Sequence, residues 1–306
     1  MISSTIIMIR PSAFGFNKET AASNRFQQIS ESVQQGIQEL ALAEFNQMVN
    51  RLKEEGIEVI VFDDTSSPVK PDAIFPNNWF ATHEDGTIVI FPMEAQNRRQ
   101  ERREDIIDYL TANYRCQRVI DLTDAENINS YLEGTGSIVF DHDNRLAYAC
   151  RSSRTDELLL KDYCETVGYR PVVFDATDSS NHPIYHTNVL MNFGPDYVTV
   201  CLDAIHSEYK SLVTNRLTAS GKTIVAISQD QMNNFAGNML ALKGEKSAIT
   251  VLSESAFQSL NEKQRTLISA NSKLVPIHIP IIESVGGGSV RCMMAEVFLP
   301  SLETVK

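Results

Sequence analysis

GYRPVVFDATDSSNHPIYHTNVLMNFGPDYVTVCLDAIHSEYKSLVTNRLTASG, residues 168–221, is the stretch that decides the fold. It opens on a glycine that stops one helix and runs through three apolar segments of strand length, RPVVFDA, HTNVLMNF and YVTVCL. A helix follows around His206 to Ala219, Gly221 stops it, and another short apolar run, TIVAIS, comes next. The unit is therefore nearer ββαβ than βα. A doubly wound parallel sheet needs strict βα alternation and a TIM barrel needs eight units, so both fit less well.

Outward from this stretch, the order of helix, stop residue and apolar strand recurs at Gly56 before IEVIVF, Asn113 before QRVIDL and Asn271 before LVPIHIP. Glycine and asparagine suit these places because a left-handed helix end tolerates them. The five stops at 56, 113, 168, 221 and 271 are 57, 55, 53 and 50 residues apart, a near-constant period that signals an internally repeated architecture. The first helix is expected between Ala21 and Glu55, where Phe26, Ile29, Val33, Ile37, Leu40, Phe45, Met48 and Leu52 follow the helical period. Before it, MISSTIIMIRPSAFGFN reads as a first strand ending at Arg10-Pro11. Five such units closed in a ring would form one α/β domain over residues 1–306, without a linker.

The bulk properties narrow the partners. A net charge of -12, spread along the 306 residues rather than gathered in a tail, argues against nucleic acid or an anionic membrane. The five cysteines form no CxxC pair and leave one over, so neither a disulfide framework nor a zinc ribbon is suggested. A reducing, cytoplasmic setting is expected, and a homo-oligomer is left open.

A polar or reactive residue follows each stop at a similar distance: Asn78, Glu133, His186, Asn238 and Cys292, which are 22, 20, 18, 17 and 21 residues on. In a ring of like units these positions converge on the axis, and a Cys, a His and a Glu meeting there would be a nucleophile, a base and an orienting carboxylate. Cys292 lies in ESVGGGSVRCMMAEVFLP, whose glycines permit close backbone approach to a ligand. His186 lies in HPIYHTNVLM at the start of a strand-like run. His182 is four residues before it, the spacing of a helical zinc pair, but Pro183 between them speaks against a helix and so against a metal. Glu133 lies in YLEGTGSIVF, a glycine-flanked acid entering an apolar strand. SGKT at residues 220–223 lacks the first glycine of a phosphate loop, and RRQERRE at residues 98–104 reads as a mostly solvated helical face.

These motifs resemble the pentein superfamily of guanidine-modifying enzymes, which includes arginine deiminases, dimethylarginine dimethylaminohydrolases and glycine amidinotransferases. GGGSVRCM resembles their cysteine motif, LEGTG their acidic motif, and HTN stands where many members have His-x-Asp. DAIFPNNW occupies the substrate loop and SSRTD resembles a Ser-x-Arg-Thr segment. The resemblance implies a five-bladed α/β propeller with Cys292, His186 and Glu133 as catalytic residues and no cofactor. It further implies that Arg154 and, less directly, Arg98 beside Arg99 bind a substrate carboxylate, that Asp72 takes the α-amino group, and that Phe75 lines the pocket. Where arginine deiminases oppose a guanidinium with carboxylates, this chain has Asn78 and Asn188. A carboxylate only accepts hydrogen bonds and suits a cation, whereas an amide donates and accepts and suits a neutral group. The chain is thus similar to the citrulline-utilisation hydrolases of the superfamily, with L-citrulline as the expected small-molecule substrate. Arginine deiminase or amidinotransferase activity is the nearest alternative, and a non-catalytic propeller like the ribosome anti-association factors is the alternative of another class.

Overall fold

The computed structural model describes residues 1–28 and 36–302, so Ile29 and Val33 of the expected first helix lie outside the described residues. Among the described residues, fifteen strands form five three-stranded sheets. The first sheet joins β1 (Thr5–Arg10), β2 (Glu58–Asp63) and the carboxyl-terminal β15 (Ala295–Glu296). The others are β3 (Phe80–Thr82), β4 (Thr87–Ile90) and β5 (Arg118–Asp121); β6 (Val139–Asp141), β7 (Leu146–Cys150) and β8 (Arg170–Phe174); β9 (Met191–Phe193), β10 (Tyr197–Val200) and β11 (Thr223–Ala226); and β12 (Leu240–Lys243), β13 (Ala248–Ser253) and β14 (Lys273–Ile277). In every sheet the first pair is antiparallel and the second is parallel, the latter joined through a helical crossover. This is the ββαβ unit read from the sequence.

Hydrogen bonds between successive blades close the ring. The Thr82 hydroxyl donates to the Glu296 carbonyl at 3.0 Å, Arg118 to the Thr166 carbonyl at 3.1 Å, and Thr187 to the Ser137 carbonyl at 2.6 Å. Tyr197 meets Thr250 at 2.8 Å, and the Lys243 N–H donates to the Ser3 carbonyl at 2.8 Å. The packing of β1 explains why its sequence, TIIMIR, does not alternate with polar residues. Ile6 and Met8 pack into one apolar cluster and Ile7 and Ile9 into another, because both faces of the strand are covered by neighbouring blades. β7 does the same with Leu146 and Tyr148 on one side and Ala147 and Ala149 on the other.

Three expectations need correction. The first helix is Ile37–Glu54, and residues 21–28 form turns instead. Phe26 is apolar because its ring meets Phe235 at 5.1 Å and Tyr185 at 6.1 Å, a tertiary contact that mimics a helical period. The glycine stops take left-handed conformations, with φ of 82° at Gly56, 75° at Gly168 and 74° at Gly221, but Asn113 and Asn271 do not. Asn113 ends its helix by donating from its side chain to the Tyr109 carbonyl at 2.8 Å. Finally, HTNVLMNF is not all strand: Thr187–Leu190 is one helical turn, and Gly134–Ser137 is its counterpart before β6. Among the described residues, no helix is long and apolar enough to cross a membrane.

Gly56 and Gly168 separate two costs. A β-carbon at Gly168 would meet nothing within 4 Å, whereas one at Gly56 would fall 2.5 Å from the Glu245 β-carbon and 2.9 Å from its backbone nitrogen. Gly168→Ala is expected to lose only the left-handed penalty of about 1–2 kcal/mol, and Gly56→Ala about 1–3 kcal/mol more through overpacking. Urea unfolding of both variants measures the gap; equal losses would mean that the loop between β12 and β13, which carries Glu245, yields freely to the end of the first helix.

Candidate active site

Asn78, Glu133, His186, Asn238 and Cys292 all fall just before the first strand of a blade, where the chain comes in toward the axis. Glu133 and His186 occupy the same place in successive blades, each immediately ahead of a one-turn helix. Glu133 has no exposed surface, and its Oε2 accepts from His186 Nε2 at 2.9 Å. Its Oε1 accepts from the Glu94 N–H at 3.0 Å, and Arg154 and Arg98 approach Oε2 at 3.4 and 3.9 Å. Burial alone would raise the pKa of Glu133, but Arg154, the His186 hydrogen bond and Arg98 hold it well below the usual carboxylate range. Burial lowers the pKa of His186 to about 4 against the opposing pull of Glu133, so its imidazole is neutral at pH 7. With Nε2–H donated to an ionised carboxylate, Nδ1 is left as an acceptor.

Asn24, Asp72, Phe75, Asn78, Arg98, Arg154, Tyr185, His186, Cys292 and the three glycines 286–288 line a single cavity. Glu133 lies behind it. The Cys292 sulfur is buried, with Asn238 Nδ2 at 3.4 Å and Asn188 Nδ2 at 3.5 Å. Two polar atoms on these walls, Asp72 Oδ1 and Asn78 Nδ2, are buried without a protein partner, as is Oδ1 of Asn188, whose Nδ2 faces the sulfur. Buried polar groups are rarely left so, and the cavity thus presents one acceptor, on Asp72, and one donor, on Asn78. The orientation of Asn78 is fixed, because its Oδ1 accepts from Arg98 Nη1 at 2.8 Å and an arginine can only donate.

The run at residues 98–104 is less solvated than its charges suggest. Arg98 and Glu101 are buried and joined by two bonds of 2.9 Å, Nε to Oε1 and Nη2 to Oε2. Arg98 also donates to the Phe75 carbonyl at 3.3 Å, so only one of its five N–H groups, on Nη1, is uncommitted. Arg99 turns away, to the carbonyls of Met93 and Glu94 and to Glu126. Arg154 donates to Ser23 Oγ at 2.7 Å and to the Thr20 carbonyl at 3.2 Å, and its guanidinium lies over the Tyr185 ring. His182 is exposed beside Asp178 and shares no site with His186.

Residues 17–28 were not identified from sequence as part of the site, yet they cover it. Asn17 and Thr20 donate to Asp72 Oδ2 at 2.7 and 3.2 Å, and Asn24 donates to the carbonyls of Gly286 and Gly287 at 3.3 and 3.2 Å. They stand outside the register of the repeat, so no spacing could have found them. Tyr185, whose hydroxyl donates to the Gly287 carbonyl at 2.8 Å, was signalled only by its place next to His186.

Such a ring of five ββαβ blades with a Cys, a His and a buried Glu at its axis defines a pentein. The family model for eukaryotic N,N dimethylarginine dimethylhydrolase matches residues 10–299, and the chain belongs to this family of hydrolases acting on carbon–nitrogen bonds. Among solved structures it is similar to the amino-terminal domain of ArgZ, a cyanobacterial arginine dihydrolase, with TM-score 0.75 and 17% identity over 97% of this chain and 98% of that one. Against full-length ArgZ the TM-score is also 0.75, but this chain spans only 42% of that protein. DDAH from Pseudomonas aeruginosa, solved as a mutant complexed with citrulline, gives 0.65 at 13% identity over 97% of this chain and all of that one. No curated protein matches.

Gly136 is the hidden requirement of the site. A β-carbon there would lie 2.4 Å from Asn78 Nδ2 and 2.8 Å from His186 Nδ1. Gly136→Ala is expected to lower turnover at least tenfold and to cost about 1–3 kcal/mol of stability, measured by steady-state kinetics and urea unfolding; unimpaired turnover would place the reacting groups elsewhere. For His186 the sign is that of a depressed base: its imidazole stays neutral until the pH falls through about 4, and the stability it contributes is lost between its ordinary 6.5 and that value. Nitrogen chemical shifts of labelled histidine should show this late protonation, and a midpoint at or above 6.5 would contradict the buried neutral pair.

Proposed function

We propose that this chain hydrolyses the ureido group of L-citrulline to ornithine, ammonia and carbon dioxide, with Cys292 as the nucleophile. The observation that carries the reading is the polarity of Asn78. Arg98 holds its oxygen, so the unpartnered Nδ2 offers a donor to the cavity. A guanidinium has no acceptor to meet it, whereas a ureido carbonyl oxygen does. Asn188, whose Nδ2 lies 3.5 Å from the Cys292 sulfur, is on this reading the second neutral amide standing in place of a carboxylate.

In this mechanism His186 Nδ1 takes the thiol proton of Cys292 as the sulfur bonds to the ureido carbon. The resulting imidazolium, stabilised by Glu133, passes that proton to the nitrogen whose bond to carbon breaks. His186 next deprotonates a water that attacks the carbonyl of the covalent intermediate; the sulfur leaves and recovers its proton from His186, and the carbamic acid set free breaks its remaining carbon–nitrogen bond to give the second amine and carbon dioxide. One water overall converts citrulline to ornithine, ammonia and carbon dioxide. Asp72 Oδ1 meets the α-ammonium group. Arg154 exchanges Ser23 and Thr20 for the α-carboxylate, with the remaining N–H of Arg98 in support. Glu133 acts through His186 and not on the substrate.

Incubation with citrulline and with arginine, scoring ornithine, citrulline and ammonia, tests the reading, and faster consumption of arginine would overturn it. Cys292→Ala should abolish turnover with the fold intact. Asn78→Asp replaces the donor with an acceptor and is expected to reduce kcat/KM for citrulline about 100-fold while arginine gains relative to it, since a mismatched buried contact costs about 1–3 kcal/mol.

A further inference from the structure

Asn238 occupies the fourth of the five equivalent axial positions, and the mechanism above gives it no part. Its side chain is fully buried. Its Oδ1 accepts from the Arg291 backbone N–H at 3.1 Å, and because that partner only donates, Nδ2 must face the other way. There it donates to the Asn188 carbonyl at 3.1 Å and lies 3.4 Å from Cys292 Sγ. Asn188 Nδ2 approaches the same sulfur at 3.5 Å from the neighbouring blade. Two amide donors thus converge on one sulfur, while the same Asn238 side chain offers a thiol proton an acceptor only at 3.8 Å. Donors aimed at a sulfur favour its anion over the thiol. A tie between Arg291 and Asn188 would hold the loops together equally well without any effect on the sulfur, and that difference is measurable.

We propose that Asn238 is a positioning residue that, together with the amide of Asn188, stabilises the thiolate of Cys292 and fixes its direction at the cavity floor. The proposal rests on the reading of Cys292 as nucleophile. Its test is a pH titration of ultraviolet thiolate absorbance, taken as the difference from the Cys292→Ala protein so that the other four cysteines cancel. Asn238→Asp keeps an acceptor for the Arg291 N–H but sets a negative oxygen near the sulfur, and it should raise the thiolate midpoint by about one pH unit or more. Asn238→Ala, lacking the donor, should raise it by less, and Asn238→Ser, which restores an O–H donor, should fall between Ala and the unmodified protein. The Ala and Ser variants keep the measurement available if the Asp variant does not fold. Folded variants whose midpoints all match the unmodified protein would overturn the assignment and leave Asn238 a structural tie. The titration needs no substrate, so it fails separately from the nucleophile: an active Cys292→Ala protein would remove the catalytic reading, whereas unchanged midpoints with an inactive Cys292→Ala protein would remove only the role of Asn238.

Discussion

Glu133 is a carboxylate withdrawn from water, and its charge persists there because Arg154, Arg98 and the N–H groups of His186 and Glu94 all point at it. Removing any one of these would leave a charge buried without full compensation, a situation more costly than the pair was ever worth. The arrangement fixes the His186 tautomer, and with it the single ring nitrogen left to exchange protons. It also explains why Arg98 is clamped by Glu101: a guanidinium that must sit beside both Glu133 and Asn78 needs its other edge held. The site is therefore built from the carboxylate outward, and the cavity surface is the last layer of that construction.

The ring was legible in the sequence because each blade repeats the same physical problem. An inner strand buried on both faces must be apolar throughout, and a crossover helix must stop before the next strand can pair in parallel. β1 and β7 show this directly, with successive residues packing into different clusters. The five candidate site residues were legible for the same reason, since chain register places one residue per blade just ahead of its first strand. Where register was lost, reading failed. Phe26 obeys a helical period by coincidence, its partners Phe235 and Tyr185 being far away in sequence. One-turn helices such as Thr187–Leu190 are too short to carry any period. Arg98 and Glu101 look like an exposed helical pair, and only Asp72 and Asn78, folded against them from an earlier loop, show that they are not.

Substrate preference, on the proposed reading, turns on which way each amide of the site faces. An asparagine facing a ligand is ambiguous, because rotating its amide by half a turn exchanges donor for acceptor at little steric cost. Asn78 escapes this ambiguity only through Arg98, which cannot accept and so always claims the oxygen. Asn238 escapes it through the Arg291 N–H in the same way. Asn188 has no such partner, since its Oδ1 is unbonded and its Nδ2 faces a sulfur that can donate as a thiol or accept as a thiolate. Two amides of the site are thus fixed by groups behind them, whereas the third faces only a sulfur. On the proposed reading, the amide whose polarity toward a bound headgroup is settled is therefore Asn78, because Arg98 keeps its donor edge turned to the cavity.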